Sequence, residues 1–178
     1  MRITFFASAL AFALSAHAGG NAGEVIKLAS EGALAYATQA GKTRFEVHVG
    51  TKVRHVLVLS RDAMVSPSAA PSSVKVVAEM KGPTLILIDT YPSVAGGMSL
   101  CKAGEERFLR VLAMSGKQPK ETLRIKLESC RENIELAAPG IVWQAPSSTL
   151  NLDWLQGPMQ KGMPESRVIR IDETGHPR

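Results

Sequence analysis

The residues best suited to chemistry flank one short turn. "TRFEVHVG", residues 43–50, alternates Phe45, Val47 and Val49 with Arg44, Glu46 and His48, and "TKVRHV", residues 51–56, returns with His55. Two imidazoles and a carboxylate are ligands for zinc or copper. Whether they meet depends on register. A two-residue turn sets Glu46 opposite His55, with His48 diagonal, all on one face. A three-residue turn puts the histidines on opposite faces and aligns Phe45, Val47 and Val49 with Val53, Leu57 and Leu59. The second register buries more apolar surface and is the one expected, because a slip of one residue moves every side chain across the sheet. No metal site is predicted, and no cofactor.

Glu105 and Glu106 form the next candidate, as a carboxylate pair for acid–base work, and Asp89 is a further acid. Adjacent strand residues point to opposite faces, so the two glutamates are ill placed to share a substrate. "SLCK", residues 99–102, matches the Ser-x-x-Lys of penicillin-interacting serine enzymes, but the companion Ser-Asp-Asn and Lys-Thr-Gly signatures are missing. "GGMSLC" lacks the second glycine of a nucleophile elbow. "AGKT", residues 40–43, ends like a phosphate loop, yet Tyr36 stands where the first glycine belongs and a strand follows. None of these carries a catalytic assignment.

The chain has two cysteines, Cys101 and Cys130. In an oxidising compartment such a pair usually forms a disulfide. If "ERFLRVLAM" and "ETLRIKLES" make a hairpin, residues whose numbers sum to about 235 face each other, and Cys130 lies opposite Glu105. Four extended residues then separate Cys101 from that point, about 13 Å, too far for a bridge. The chain must fold back between 101 and 105, and Gly104 permits such a bend.

Other features describe the scaffold and its address. "MRITFFASALAFALSAHA" has an early Arg2, an apolar stretch and a small-x-small Ala16-His17-Ala18 ending. This is the pattern of an export signal cleaved near Ala18, too short to span a bilayer. The expected organisation is a leader over 1–18 and a single β domain over 19–178, with 173–178 a frayed tail. The formal charge is +5, with basic residues scattered among acids. Arg107, Arg110, Arg124 and Lys126 read as parts of solvated faces, and no clustered basic footprint for nucleic acid is present.

Period-two alternation dominates. "SSVKVVAEM", "TLNLDWL" and "SRVIRID" are strand-like, and "PTLILID" is apolar on both faces, as a central strand would be. "EVIKLASEGALAYATQAG" reads as a strand followed by a loop or a short helical turn. Trp154 shares a face with Leu150 and Leu152 and is predicted to be core, while Trp143 stays unassigned. Many short strands between turn signals predict an all-β fold, a single antiparallel β-sandwich with a barrel as the alternative.

The run Cys101-x-Ala103-Gly104-x-Glu106-x-Phe108-Leu109-Arg110-Val111, with the later "LRIKLESC", resembles uncharacterised exported proteins of Gram-negative bacteria over residues 84–136. The resemblance implies a periplasmic address and no catalytic residues. The expected function is non-catalytic binding, in the periplasm or outside the cell, of a protein or envelope component. Contact would be made through loops 61–73 and 90–104, with Tyr91, Pro92, Gly96, Gly97, Met98 and Gly104 as the candidate surface. One version is an inhibitor or immunity protein that neutralises a hydrolytic toxin. The alternatives are an envelope-polymer hydrolase using Glu105, Glu106 or Asp89, and a metal-binding protein using Glu46, His48 and His55.

Overall fold

The computed structural model describes residues 21–22, 25–28, 32–39, 42–49, 51–59, 62–65, 69–80, 84–94, 104–114, 118–160 and 162–178. The chain is all-β. Its strands are β1 (Asn21–Ala22), β2 (Ile26–Lys27), β3 (Ala33–Gln39), β4 (Lys42–Val49), β5 (Lys52–Leu59), β6 (Ser73–Met80), β7 (Thr84–Pro92), β8 (Glu105–Ala113), β9 (Lys120–Ser129), β10 (Glu135–Gln144), β11 (Thr149–Gln156) and β12 (Glu165–Arg170). They form three antiparallel sheets. The first runs β1-β3-β4-β5 with β2 also on β3, the second β6-β7-β8-β9, and the third β10-β11-β12. None of these closes on itself, so the barrel alternative is not formed among the described residues. No helix there is long and apolar enough to cross a membrane.

The second sheet is buried on both faces, and alternation explains how. Leu85 and Leu87 of β7 and Leu112 of β8 pack with Leu34, Tyr36, Phe45, Val47, Val56 and Val58 of the first sheet. Ile86, Leu109, Val111, Ile125 and Leu127 pack the other way, with Leu150, Leu152 and Trp154 of the third sheet. This is why "PTLILID" carries apolar residues at both parities. A bulge in β6 between Val76 and Ala78 shifts the phase. Val74 and Val76 therefore join the first-sheet cluster, whereas Ala78 joins the third-sheet cluster.

Trp154 is core, as expected, and its indole N–H donates to the Leu127 carbonyl at 2.9 Å. Trp143 pairs with Leu150 and packs, partly buried, in the same cluster. The β8–β9 hairpin has the expected register. Ala113 faces Lys120, Leu109 faces Ile125 and Glu106 faces Ser129, with bulges moving the pairing by a residue at two points.

Two expectations are corrected here. The described residues of the alanine-rich segment form strands β2 and β3 and no helical turn, because Leu34, Tyr36 and Thr38 alternate into the core and burial overrides the helix preference of alanine. The tail over 173–178 is not frayed. Asp172 accepts from the Thr174 and His176 amides at 2.9 and 3.0 Å, and the Arg178 amide donates to the Arg170 carbonyl at 2.8 Å. Gly175, at φ +82, lies against Thr84 and Ala113, where any Cβ would collide with the Thr84 side chain.

Candidate functional site

The loops expected to bind meet at one end of the second sheet. Val65 forms a β-bridge with Ser93, and the Val94 amide donates to the Met64 carbonyl at 2.7 Å. The Ser93 amide donates to the Gly104 carbonyl at 2.9 Å, so both ends of the 90–104 excursion are tied together. The turn after β9 completes the cluster, with Arg131 Nη2 donating to the Val94 carbonyl at 2.9 Å. Segments 62–65, 92–94 and 129–134 thus form one continuous end.

Within this end Tyr91 departs from its expected role. It is fully buried beside Val65 and Phe108, edge-on to the latter's ring, and makes no exposed surface. Its odd-numbered position on β7 turns it toward the first sheet, where the phenol is anchored by polar partners. Pro92 is exposed and Gly104 half-buried. Gly96, Gly97, Met98 and Cys101 lie outside the described residues. Cys130 is exposed at the tip of the β9–β10 turn and is not a free thiol.

Beneath the loops, the second sheet turns an unusual face toward the first. Cross-strand pairing sets Asp89 beside Phe108, Leu87 beside Arg110 and Tyr91 beside Glu106. Arg110, read from sequence as solvated, is fully buried. Its Nε donates to Asp89 Oδ2 and its Nη1 to Glu121 Oε1, each at 2.7 Å. A charge carried on this strand face cannot reach water, so it is held by opposite charges. The Tyr91 hydroxyl donates to the same Asp89 oxygen at 2.7 Å. Tyr91 oxygen lies 3.1 Å from the Thr43 hydroxyl, itself 2.9 Å from that of Thr38. Because the carboxylate only accepts, the row runs in one direction: Thr38 to Thr43 to Tyr91 to Asp89. Burial pushes the Asp89 carboxyl upward against the Arg110 charge, and burial and the Asp89 charge push the Tyr91 phenol well above its usual range.

A second network holds the loops down. Glu106 is buried, accepts from the Ser93 hydroxyl at 2.7 Å, and lies 3.9 Å from Lys126 Nζ. Lys126 also bonds Asp62 at 2.9 Å and contacts Glu132. Arg124 stands 3.7 Å from Asp62, and Arg110, Arg124 and Lys126 all lie within 6 Å of the Phe108 ring centre, a triple cation–π arrangement. Glu105, by contrast, is exposed and stands 3.6 Å from Arg107. The two glutamates point to opposite sides, as alternation requires.

Asp62 sets an acid-side prediction. Burial alone would raise its carboxyl, but hydrogen bonds from Lys126 and the Met64 amide, with the charges of Lys126 and Arg124, carry it below the ordinary 3.8. A depressed carboxyl contributes stability that is complete above its unfolded value and is lost as pH falls through the folded one. Between pH 7 and 3, the unfolding free energy from urea titration should fall more for wild type than for Asp62→Asn, by about 1 kcal/mol for so partly exposed a cluster. Identical profiles would remove the clamp from the account.

The β4–β5 register corrects the expectation from sequence. The turn has two residues, so Glu46 faces His55, His48 faces Val53 and Val47 faces Arg54. Val56 and Val58 are the buried positions of β5, while Val53 is 54 % exposed. Two-residue hairpins match the natural strand twist, and the apolar residues of β7 and β8 opposite this sheet reward Val56 and Val58. Glu46, His48 and His55 therefore share the outer face. Among the described residues no three His, Cys, Asp or Glu side chains stand at metal-binding spacing.

Comparison with protein-family models, with curated proteins and with solved structures finds no match.

Proposed function

We propose that this chain is an exported, non-catalytic binding protein whose contact surface is the end of the second sheet bearing residues 62–65, 92–94 and 129–134. The supporting observation is the joining of the 61–73 and 90–104 segments into one end, through the Val65–Ser93 bridge and the Val94–Met64 hydrogen bond. Loops held on a rigid sheet are where recognition is commonly placed. The acids a hydrolase would need are occupied below that surface: Asp89 by Arg110 and Tyr91, Glu106 by Ser93 and Lys126.

The leader at 1–18 and the resemblance over 84–136 support a periplasmic or secreted address. The architecture is a β-sandwich of the first two sheets, elaborated by the third on the opposite face. Cys130 pairs with Cys101, the only other cysteine of the chain, which would tie the 95–103 segment to the β9–β10 turn and stiffen the binding end. The partner is a protein or an envelope component, and one form of this reading is an inhibitor or immunity protein acting on a hydrolytic toxin.

The test is crosslinked capture from periplasmic extract. Wild type should retain a partner that is lost from Ala63→Arg with Pro92→Arg, two exposed positions, with an unchanged melting temperature expected for the double variant. Capture by both proteins alike, or by neither, counts against this surface. Turnover of peptidoglycan by the purified protein, abolished in Glu106→Gln, would replace the reading with a hydrolase.

A further inference from the structure

A second site is carried by the outer face of the first sheet, away from the loop-bearing end. Glu46 and His55 are direct cross-strand partners, and His48 is two residues from Glu46 on the same strand. Directly opposed residues lie about 4.5–5.5 Å apart and diagonal ones about 7–8 Å, and the i, i+2 separation along a strand is about 6.6 Å. The three side chains do not stand at metal-binding spacing as they lie, so a bound zinc ion, held at about 2.0–2.2 Å from each donor, requires them to rotate toward one point above this triangle.

The surroundings favour that convergence. His48 Nε2 already lies 3.6 Å from Glu46 Oε2. On the neighbouring strand, Ala33 faces His48 and Ala35 faces Glu46, so only methyl groups flank the triangle on that side. His55 is exposed. The obstacle is Arg44, whose Nη2 holds Glu46 Oε1 at 2.6 Å. Closing the site asks His55 to turn inward and Glu46 to release one oxygen from Arg44.

We propose that Glu46, His48 and His55 form a three-ligand site for Zn2+ or Cu2+, with the remaining coordination position open to water or to a side chain of a partner. Two neutral imidazoles and one carboxylate suit these borderline ions and disfavour Mg2+ and Ca2+, which take oxygen ligands. Arg44 acts as a built-in competitor, placing a positive charge beside the ion and engaging one of its ligands.

Isothermal titration of the mature chain with ZnSO4 and with CuSO4 tests this directly. One ion per chain is expected, with affinity falling at least tenfold in His48→Ala and in His55→Ala. Arg44→Gln should tighten binding several-fold, an effect that no adventitious surface histidine would produce. The Cu2+-loaded protein should show an electron paramagnetic resonance spectrum with two coupled nitrogens, reduced to one in either histidine variant. Absence of binding, or binding that survives the double histidine variant through His176, overturns the site. Circular dichroism of each variant separates loss of a ligand from loss of the fold.

Discussion

Asp89→Ala is expected to destabilise the protein by about 3–5 kcal/mol, read as a drop in urea midpoint at unchanged slope. Removing one member of a buried ion pair costs this much because the remaining charge keeps its desolvation penalty and loses its counter-charge. Here the loss is twofold. Arg110 Nε and the Tyr91 hydroxyl both donate to Asp89 Oδ2, each at 2.7 Å. Asp89→Asn, which keeps the shape, should recover part of the loss but not the charge. The informative variant is Asp89→Leu combined with Arg110→Met. With both charges gone the double variant should lie much nearer wild type than the sum of the single changes, since buried pairs are often replaceable by apolar residues at little net cost. Simple additivity would show that the two side chains do not interact in solution.

The second large effect concerns the sulfur bridge proposed between Cys101 and Cys130. Cys130→Ser should cost about 3–4 kcal/mol, the loop-closure entropy of about 30 residues in the unfolded chain. The unreduced protein should take up no alkylating reagent, and reduction should expose two thiols. Labelling of both sulfurs without reductant would dismiss the bridge. It would also weaken the case for a stiff binding end.

Much of the scaffold was legible from residue order. "PTLILID" announced a strand covered on both sides, and it is β7, at the heart of the second sheet. The β8–β9 pairing followed from the turn between them, because a hairpin register is a local property. The β4–β5 register was not legible by counting apolar residues on two strands. What decides it lies across the interface, in Leu85, Leu87 and Leu112, and nothing local to the hairpin reports their position.

The buried charges were partly visible. An aspartate at the end of an otherwise apolar central strand demands a partner, and the β8 register places Arg110 diagonal to it. The scatter of basic residues along the chain does not report this pairing; the strand that carries Arg110 does. The loop assembly was a different case. The Val65–Ser93 bridge joins residues 28 positions apart whose own loops carry no periodic pattern, so it depends on where β6 and β7 set the loop ends.

Because its two apolar faces are covered by strands from opposite ends of the chain, the second sheet makes the protein indivisible. A nascent chain that has emerged only as far as β10 still shows water the side of Ile86, Leu109 and Val111 that β11 and β12 cover. Holding that half-built layer apart from its neighbours until β11 and β12 arrive is work for a chaperone.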